Sequence, residues 1–264
     1  MPEFQALFVP DGHYLLPTPA ARGPWRSDAL HGGAVSALFG QAFEREGWVL
    51  SRMTMDFIRR VPMGPLRLVA GTSLQTRRAQ RQRLELWADN QLVAKAEALL
   101  LPKLQIEDFP PQPTRSLDTP QDSDQEKLEQ RRSNYVQRIG YPSFVSHGIA
   151  ARRQRINGPD SPVQVRWVKL LLPTIAGREI TPVQRACAAA DFANGGFSTL
   201  SFDEWTFINL DLTVQLVRDP ADDWIAVVNN CLASNTGLGL GDAELHDKDG
   251  RIGGATATLL IERR

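Results

Sequence analysis

Little in this sequence points to metal, redox or nucleoside-triphosphate chemistry. Its 264 residues hold only two cysteines, Cys187 and Cys231, and these form no Cys-x-x-Cys pair. Both sit among Ala and Val and read as reduced core thiols of a cytoplasmic protein. The four histidines, His13, His31, His147 and His246, are not spaced as metal pairs, so neither a metal nor another cofactor is expected. A Gly-x-Ser-x-Gly elbow, a His-Glu-x-x-His pair and a Walker sequence are all missing. The stretch Gly237 to Gly241 lacks the spacing of a dinucleotide loop and reads as strand or bulge. Thirty basic against thirty acidic residues give a net charge of zero, which removes the electrostatic case for a nucleic-acid partner. No apolar run approaches the ~20 residues that span a bilayer, and Met1 to Phe8 lacks a basic-then-apolar leader pattern, so no membrane association is expected.

What is present is a repeat. Met53 to Pro62 and Asp211 to Pro220 both alternate as strands and both place Arg two residues before a proline, at an offset of 158. Asp89 to Leu101 matches Asp249 to Ile261 at an offset of 160. Each of these segments opens on a turn, Asp89-Asn90 or Asp249-Gly250, between two alternating stretches, which is hairpin chemistry. A small-residue helical stretch precedes each meander, Gly33 to Glu46 in the first half and Pro182 to Asn194 in the second. Pro lies near the first turn of the second helix, and Gly195-Gly196 follows its end. Pro162 to Leu172 alternates as a further strand. Between the halves, Pro102 to Arg132 is proline-rich and then charged, as a linker is. The expected organisation is an N-terminal unit over 1–105, a linker over 106–135 and a C-terminal unit over 136–264. Each unit is a helix wrapped by a long antiparallel sheet, so the fold class is α+β, a double hotdog.

This pattern resembles the double-hotdog acyl-CoA thioesterases, the type II group and its thioesterase-like relatives, from about Trp25 to Arg263. The residues that carry the resemblance are His31-Gly32-Gly33-Ala34-Val35 at the entry to the first helix and Ala190-Asp191-Phe192 late in the second. Asn209 to Thr213, Val217 to Pro220 and Gly250 to Thr258 complete it. The resemblance implies hydrolysis of an acyl-CoA substrate. It also implies a catalytic aspartate in the helix of the second hotdog, which matches Asp191. The family's water-holding threonine and glutamine fall at Asn209 and Thr258, a departure in both side chains.

The chemistry supports this reading. A thiol with a pKa near ~8.5 leaves with little acid help, so one carboxylate can supply the acid-base work. Asp191 follows three alanines on a helix expected to be buried, near its C-terminus, where the dipole disfavours an anion and stability alone would not choose one. Asp211 lies two residues beyond Asn209 and is expected on the same face as a second carboxylate. Gly32 and Gly33 permit close approach, and with His31 they place helix-start N–H groups where an oxyanion could form. Nine residues after His31, where single hotdogs with this motif carry their carboxylate, stands Gly40, which implies one active site per chain. Arg77, Arg78, Arg81 and Arg83, and separately Arg152, Arg153 and Arg155, are candidates for phosphate contacts, although such runs are more often solvated faces. The alternatives are a hotdog hydratase or dehydratase, for which Asp242 and His246 are spaced one residue too closely, and a non-catalytic acyl-CoA-binding hotdog. Exposed sheet edges favour a homo-oligomer, a dimer in the simplest case.

Overall fold

The computed structural model describes residues 4–110, 117–120, 125–155, 163–195 and 200–264. The first half runs through β1 (Phe8–Asp11), β2 (Tyr14–Pro17), α1 (Gly32–Phe43), β3 (Trp48–Phe57), β4 (Leu66–Gln75), β5 (Gln80–Ala88) and β6 (Gln91–Pro102). Next come α2 (Gln125–Ile139), a π-helical turn over Phe144–Gly148, β7 (Ile149–Arg155) and β8 (Gln164–Leu170). The chain continues with α3 (Pro182–Ala190), a 3-10 turn over Asp191–Asn194, β9 (Trp205–Asn209), β10 (Asp211–Leu216) and β11 (Trp224–Asn229). It ends with β12 (Leu232–Ala233), β13 (Leu238–Asp247) and β14 (Gly250–Arg263).

The repeat becomes a symmetric sheet. Its strand order is β1-β2-β4-β5-β6-β3-β10-β14-β13-β11-β8-β7, with β9 added to β14 and β12 to β13. The two repeated strands meet at the centre, where β3 and β10 pair antiparallel with Thr54 opposite Thr213. Their hydroxyls are 3.2 Å apart, which places a local two-fold relation at this pair. Each hairpin expected from the sequence is formed, with β5–β6 turning at Asp89 and Asn90 (φ 47° and 59°) and β13–β14 at Gly250 (φ 113°). Adjacent positive φ values are the signature of a tight two-residue turn matched to strand twist.

Both central helices are buried almost all round. In α1, Gly33 to Gln41 and Phe43 are buried, and in α3 every residue from Ala186 to Ala190 is at 0% exposure. Small residues let the two helices lie against each other: a methyl group on Gly40 would sit 2.8 Å from Cys187 Sγ, and one on Gly33 would sit 2.9 Å from the Ala188 carbonyl. Phe39, Phe43, Leu38, Met53 and Met55 fill the space between helices and sheet, each fully buried large side chain contributing about 1.5–3 kcal/mol. Burial pushes the Cys187 thiol up to about 12, so it remains a neutral core group.

The structure sharpens the sequence reading in three places. The interval read as a linker, 106–135, carries the start of α2, which packs by its Arg132 guanidinium on the Ser146 carbonyl at 2.9 Å. The second helix narrows into a 3-10 turn at Asp191, three residues before the expected end at Asn194. Gly239 and Gly241 lie in regular strand; Gly241 is required because a methyl group there would meet the Ala193 carbonyl at 2.9 Å. Pro162 and Gly196, and the side chain of Arg155, lie outside the described residues.

Candidate active site

The helix pair is antiparallel in the sense that matters for chemistry: the end of each helix meets the start of the other. Asp191 caps the C-terminus of α3 and lies against the N-terminus of α1. Its carboxylate rests directly on Gly32, where an added methyl group would sit 2.3 Å from Oδ1. Asp191 is 3% exposed and His31 is 9% exposed. The dipole of its own helix disfavours the anion, and the dipole of the 12-residue α1 opposes that effect. The sequence alone shows only the first of these fields, because the second comes from a helix start about 160 positions away.

Both carboxylate oxygens have partners. Asn209 Nδ2 donates to Oδ1 at 2.6 Å, and His31 Nδ1 lies 2.9 Å from Oδ2. Asn209 is oriented in turn by Asn194, whose Nδ2 donates to Asn209 Oδ1 at 2.9 Å. The His31 ring is held between Phe144 and Phe192, with centroids 4.7 and 5.3 Å away. The same Nδ1 also faces the Gly33 N–H at 3.0 Å. One ring nitrogen has a single in-plane site, which holds either a proton or a lone pair. With Asp191 ionised the proton belongs on Nδ1, which then donates to the carboxylate and leaves the Gly33 N–H available to another acceptor.

Thr258 and Asp211 are not part of this cluster. Thr258 is exposed, and its hydroxyl and N–H donate to the Asp211 carboxylate at 2.9 and 2.7 Å. The cause is a β-bulge. Asn209 stands opposite Leu259 while Thr213 stands opposite Thr256, so four steps on one strand face three on the other. The extra residue at Leu210 reverses the alternation. Asn209 points inward with Leu212 and Val214, whereas Asp211 points to the outer face with Thr258. The inward positions of β14 beside the site are Ala257 and Leu259, both apolar. The expectation that Asp211 shares a face with Asn209, and that Thr258 holds water beside Asp191, is corrected accordingly.

The other end of the helix pair holds a carboxylate that the sequence reading missed. Glu44 caps the C-terminus of α1 and accepts a hydrogen bond from the hydroxyl of Thr181, the N-cap of α3. Burial raises the Glu44 carboxyl above its ordinary value, against the opposing Thr181 bond, with Asp219 adding to the rise. The signal available in the sequence was position relative to the helix end, since Glu44 ends the first helix as Asp191 ends the second; counting nine residues from His31 stopped at Gly40. A cavity of about 280 Å³ opens here, lined by Glu44, Glu46, Trp48, Pro182 and Asp219 among others. A larger cavity, of about 670 Å³, lies near the Asp191 end, and neither is lined by Asp191 itself. Asp191, at 3% exposure, lies behind the surfaces of these two cavities.

Of the arginines singled out, Arg77, Arg78 and Arg81 are exposed at the β4–β5 hairpin, and Arg83 is tied to Glu85 at 3.0 Å. Arg153 lies across from Arg166 on the β7–β8 pair. The Arg166 guanidinium sits 5.1 Å over the Phe192 ring, and burial followed by repulsion from Arg153 lowers it to about 10, so it stays charged at neutral pH. Arg152 lies 5.9 Å over Trp224, on the sheet's far edge. Asp242 is exposed while His246 is buried against Glu244 at 2.9 Å, so they form no acid-base dyad. Among the described residues no group of His, Cys, Asp and Glu is arranged to hold a metal ion, and no helix is long and apolar enough to cross a membrane.

Residues 21–101 match the model of an acyl-CoA thioesterase N-terminal domain, and residues 108–260 match that of an acyl-CoA thioesterase C-terminal domain. No curated protein sequence matches significantly. Similar solved structures include a protein assigned as a thioesterase II from Thermobifida fusca YX, with a TM-score of 0.66 and 14% identity over 97% of this chain and 95% of that one. An acyl-CoA thioesterase II from Mycobacterium marinum gives 0.63 and 12% over 89% and 90%. A hot dog protein from Alicyclobacillus acidocaldarius gives 0.63 and 16% over 97% and 95%. At these identities the structural likeness establishes the double hotdog fold, and the matched domains establish the family. With an N-terminal and a C-terminal family domain in tandem, the chain belongs to the acyl-CoA thioesterases and is a thioester hydrolase.

Proposed function

We propose that the protein hydrolyses acyl-CoA thioesters at the Asp191 end of its helix pair, with Asp191 as general base. The observation that carries this reading is the seating of the Asp191 carboxylate on Gly32, with Asn209 and His31 on its two oxygens. Asp191 takes a proton from water, and the resulting hydroxide adds to the thioester carbonyl. The oxyanion of the tetrahedral intermediate accepts from the Gly33 N–H that His31 has released. The C–S bond then breaks, and the CoA thiolate takes the proton back from Asp191, which yields the free acid and CoA. Asn209 acts on the carboxylate and not on the water, as a positioning residue. His31 likewise holds the carboxylate's orientation.

One observation favours a second reading, in which Glu44 is the base: the cavity beside it is open, whereas Asp191 is covered. Two features of that end oppose it. Pro182 occupies the first turn of α3, so the amide corresponding to that of Gly32 is missing, while that of Val183, corresponding to Gly33, remains. Glu46 and Asp219 also line the cavity, with Arg45 the only basic group, a poor welcome for a polyanion.

The test is release of free thiol from a panel of acyl-CoA thioesters by the wild type and by Asp191→Asn. Asp191→Asn keeps the shape and removes the basicity, so turnover should fall about 100-fold or more while acyl-CoA binding survives. Nearly full turnover by Asp191→Asn on the best substrate would place the base elsewhere.

A further inference from the structure

The cavity of about 670 Å³ near the Asp191 end is built from Trp25, Arg26, Arg138, Tyr141, Phe202 and Arg264. Three of its walls run on into the candidate site. The loop that carries Trp25 and Arg26 is closed by Gly23 N–H on the Ala29 carbonyl at 2.8 Å and leads directly to His31. Trp25 meets Phe207 edge-on at 5.5 Å, and Phe207 precedes Asn209 by two residues on β9, about 7 Å along the strand. Tyr141 leads into Phe144, whose ring packs on His31.

The lining has a definite chemistry. Trp25 and Phe202 are stacked at 4.6 Å, with the Arg138 guanidinium 4.8 Å and the Arg264 guanidinium 4.5 Å from the Phe202 ring centre. Arg26 and Arg60 share Asp28, and Arg138 takes Asp203. Arg264 makes no ion pair among the described residues, so positive charge is in excess. A guanidinium held against a ring by its face can still turn N–H groups toward a planar or tetrahedral anion. Such a lining is unsuited to an acyl chain, which needs an apolar wall. It suits aromatic bases and phosphates, and its volume falls in the range of small-molecule sites.

We infer that this cavity receives the adenosine and phosphates of coenzyme A, anchoring the substrate by its nucleotide end while the thioester is delivered toward Asp191. The inference rests on the hydrolase reading above for its choice of nucleotide. The phosphate contacts then fall to Arg138 and Arg264, and to neither of the two arginine groups singled out in the sequence.

The probe is adenosine 3′,5′-bisphosphate, which has no thioester, titrated calorimetrically into the wild type and into the double variant Arg138→Gln/Arg264→Gln. Both arginines are exposed, and a thermal melt with each single variant checks that the fold is kept. Binding to the wild type should saturate and weaken with salt, and the double variant should lose about tenfold or more. In parallel, KM for an acyl-CoA should rise about tenfold with kcat unchanged, while hydrolysis of the matching N-acetylcysteamine thioester, which has no nucleotide, should be unaffected. Equal binding of the bisphosphate by both proteins, or equal loss on both thioesters, would overturn the inference. A wild type that binds the bisphosphate through these arginines yet hydrolyses neither thioester would defeat the proposed reaction and leave the nucleotide site standing.

Discussion

The two ends of the helix pair carry one plan with different residues. At one end an aspartate closing α3 sits on a Gly-Gly helix start capped by a histidine; at the other a glutamate closing α1 sits on a Pro-Val helix start capped by a threonine. The local two-fold relation brings a carboxylate to a helix N-terminus twice. The difference lies in the first turn that each carboxylate meets. Gly32 lets the Asp191 carboxylate lie on the backbone and keeps its amide, whereas Pro182 has none to give. The surroundings differ in sign as well, with Arg166 beside the Asp191 end and Glu46 and Asp219 beside Glu44. The two ends thus share the geometry, and the first-turn amide that Gly32 keeps is absent at Pro182.

The largest effect that sharpens this contrast is expected at Gly32. A methyl group 2.3 Å from Asp191 Oδ1 cannot be accommodated without moving the carboxylate. Gly32→Ala should therefore lower kcat about 100-fold, comparable to loss of the base itself, and should also lower Tm because the core is overpacked. A smaller loss, about tenfold in kcat, is expected for Asn209→Ala, which removes the donor on Oδ1 and leaves His31 in place. Steady-state kinetics on one acyl-CoA measures both, and an Asn209→Ala variant with unchanged kcat would remove Asn209 from the positioning set.

Much of the fold was legible because the repeat is written in the residues themselves. Met53 to Pro62 and Asp211 to Pro220 became the paired central strands, and Asp89-Asn90 became a tight hairpin turn. His31, Gly32, Gly33 and Asp191 could each be singled out, but their contact could not, because it joins residues some 160 positions apart through the packing of two helices. Asp211 and Thr258 were misplaced by a single extra residue at Leu210, since alternation along a strand assumes no bulge. Glu44 was passed over because its role depends on where α1 ends, and helix ends are the least determined feature of a sequence pattern.

Two smaller effects test these corrections. Thr258→Val should leave kcat within about twofold of the wild type, because the hydroxyl serves Asp211 on the outer face. A large loss in kcat would return Thr258 to the site. Glu44→Gln should raise Tm at pH 8 by on the order of 1–3 °C. The sign follows from the raised carboxyl of Glu44: the folded state holds the proton more tightly than the unfolded chain, so its contribution is present below the ordinary glutamate value and lost as pH rises through the folded one. The neutral amide avoids that loss and still accepts from Thr181. Melts at pH 4 and pH 8 should therefore show the gain only at the higher pH.

The contrast between the ends comes down to one paired measurement, kcat/KM of Asp191→Asn and of Glu44→Gln on the same acyl-CoA. The expected result is a fall of about 100-fold or more for Asp191→Asn and a value within about twofold of the wild type for Glu44→Gln. A large fall for Glu44→Gln with Asp191→Asn left near wild type would contradict the assignment and place the chemistry at the other end of the helices.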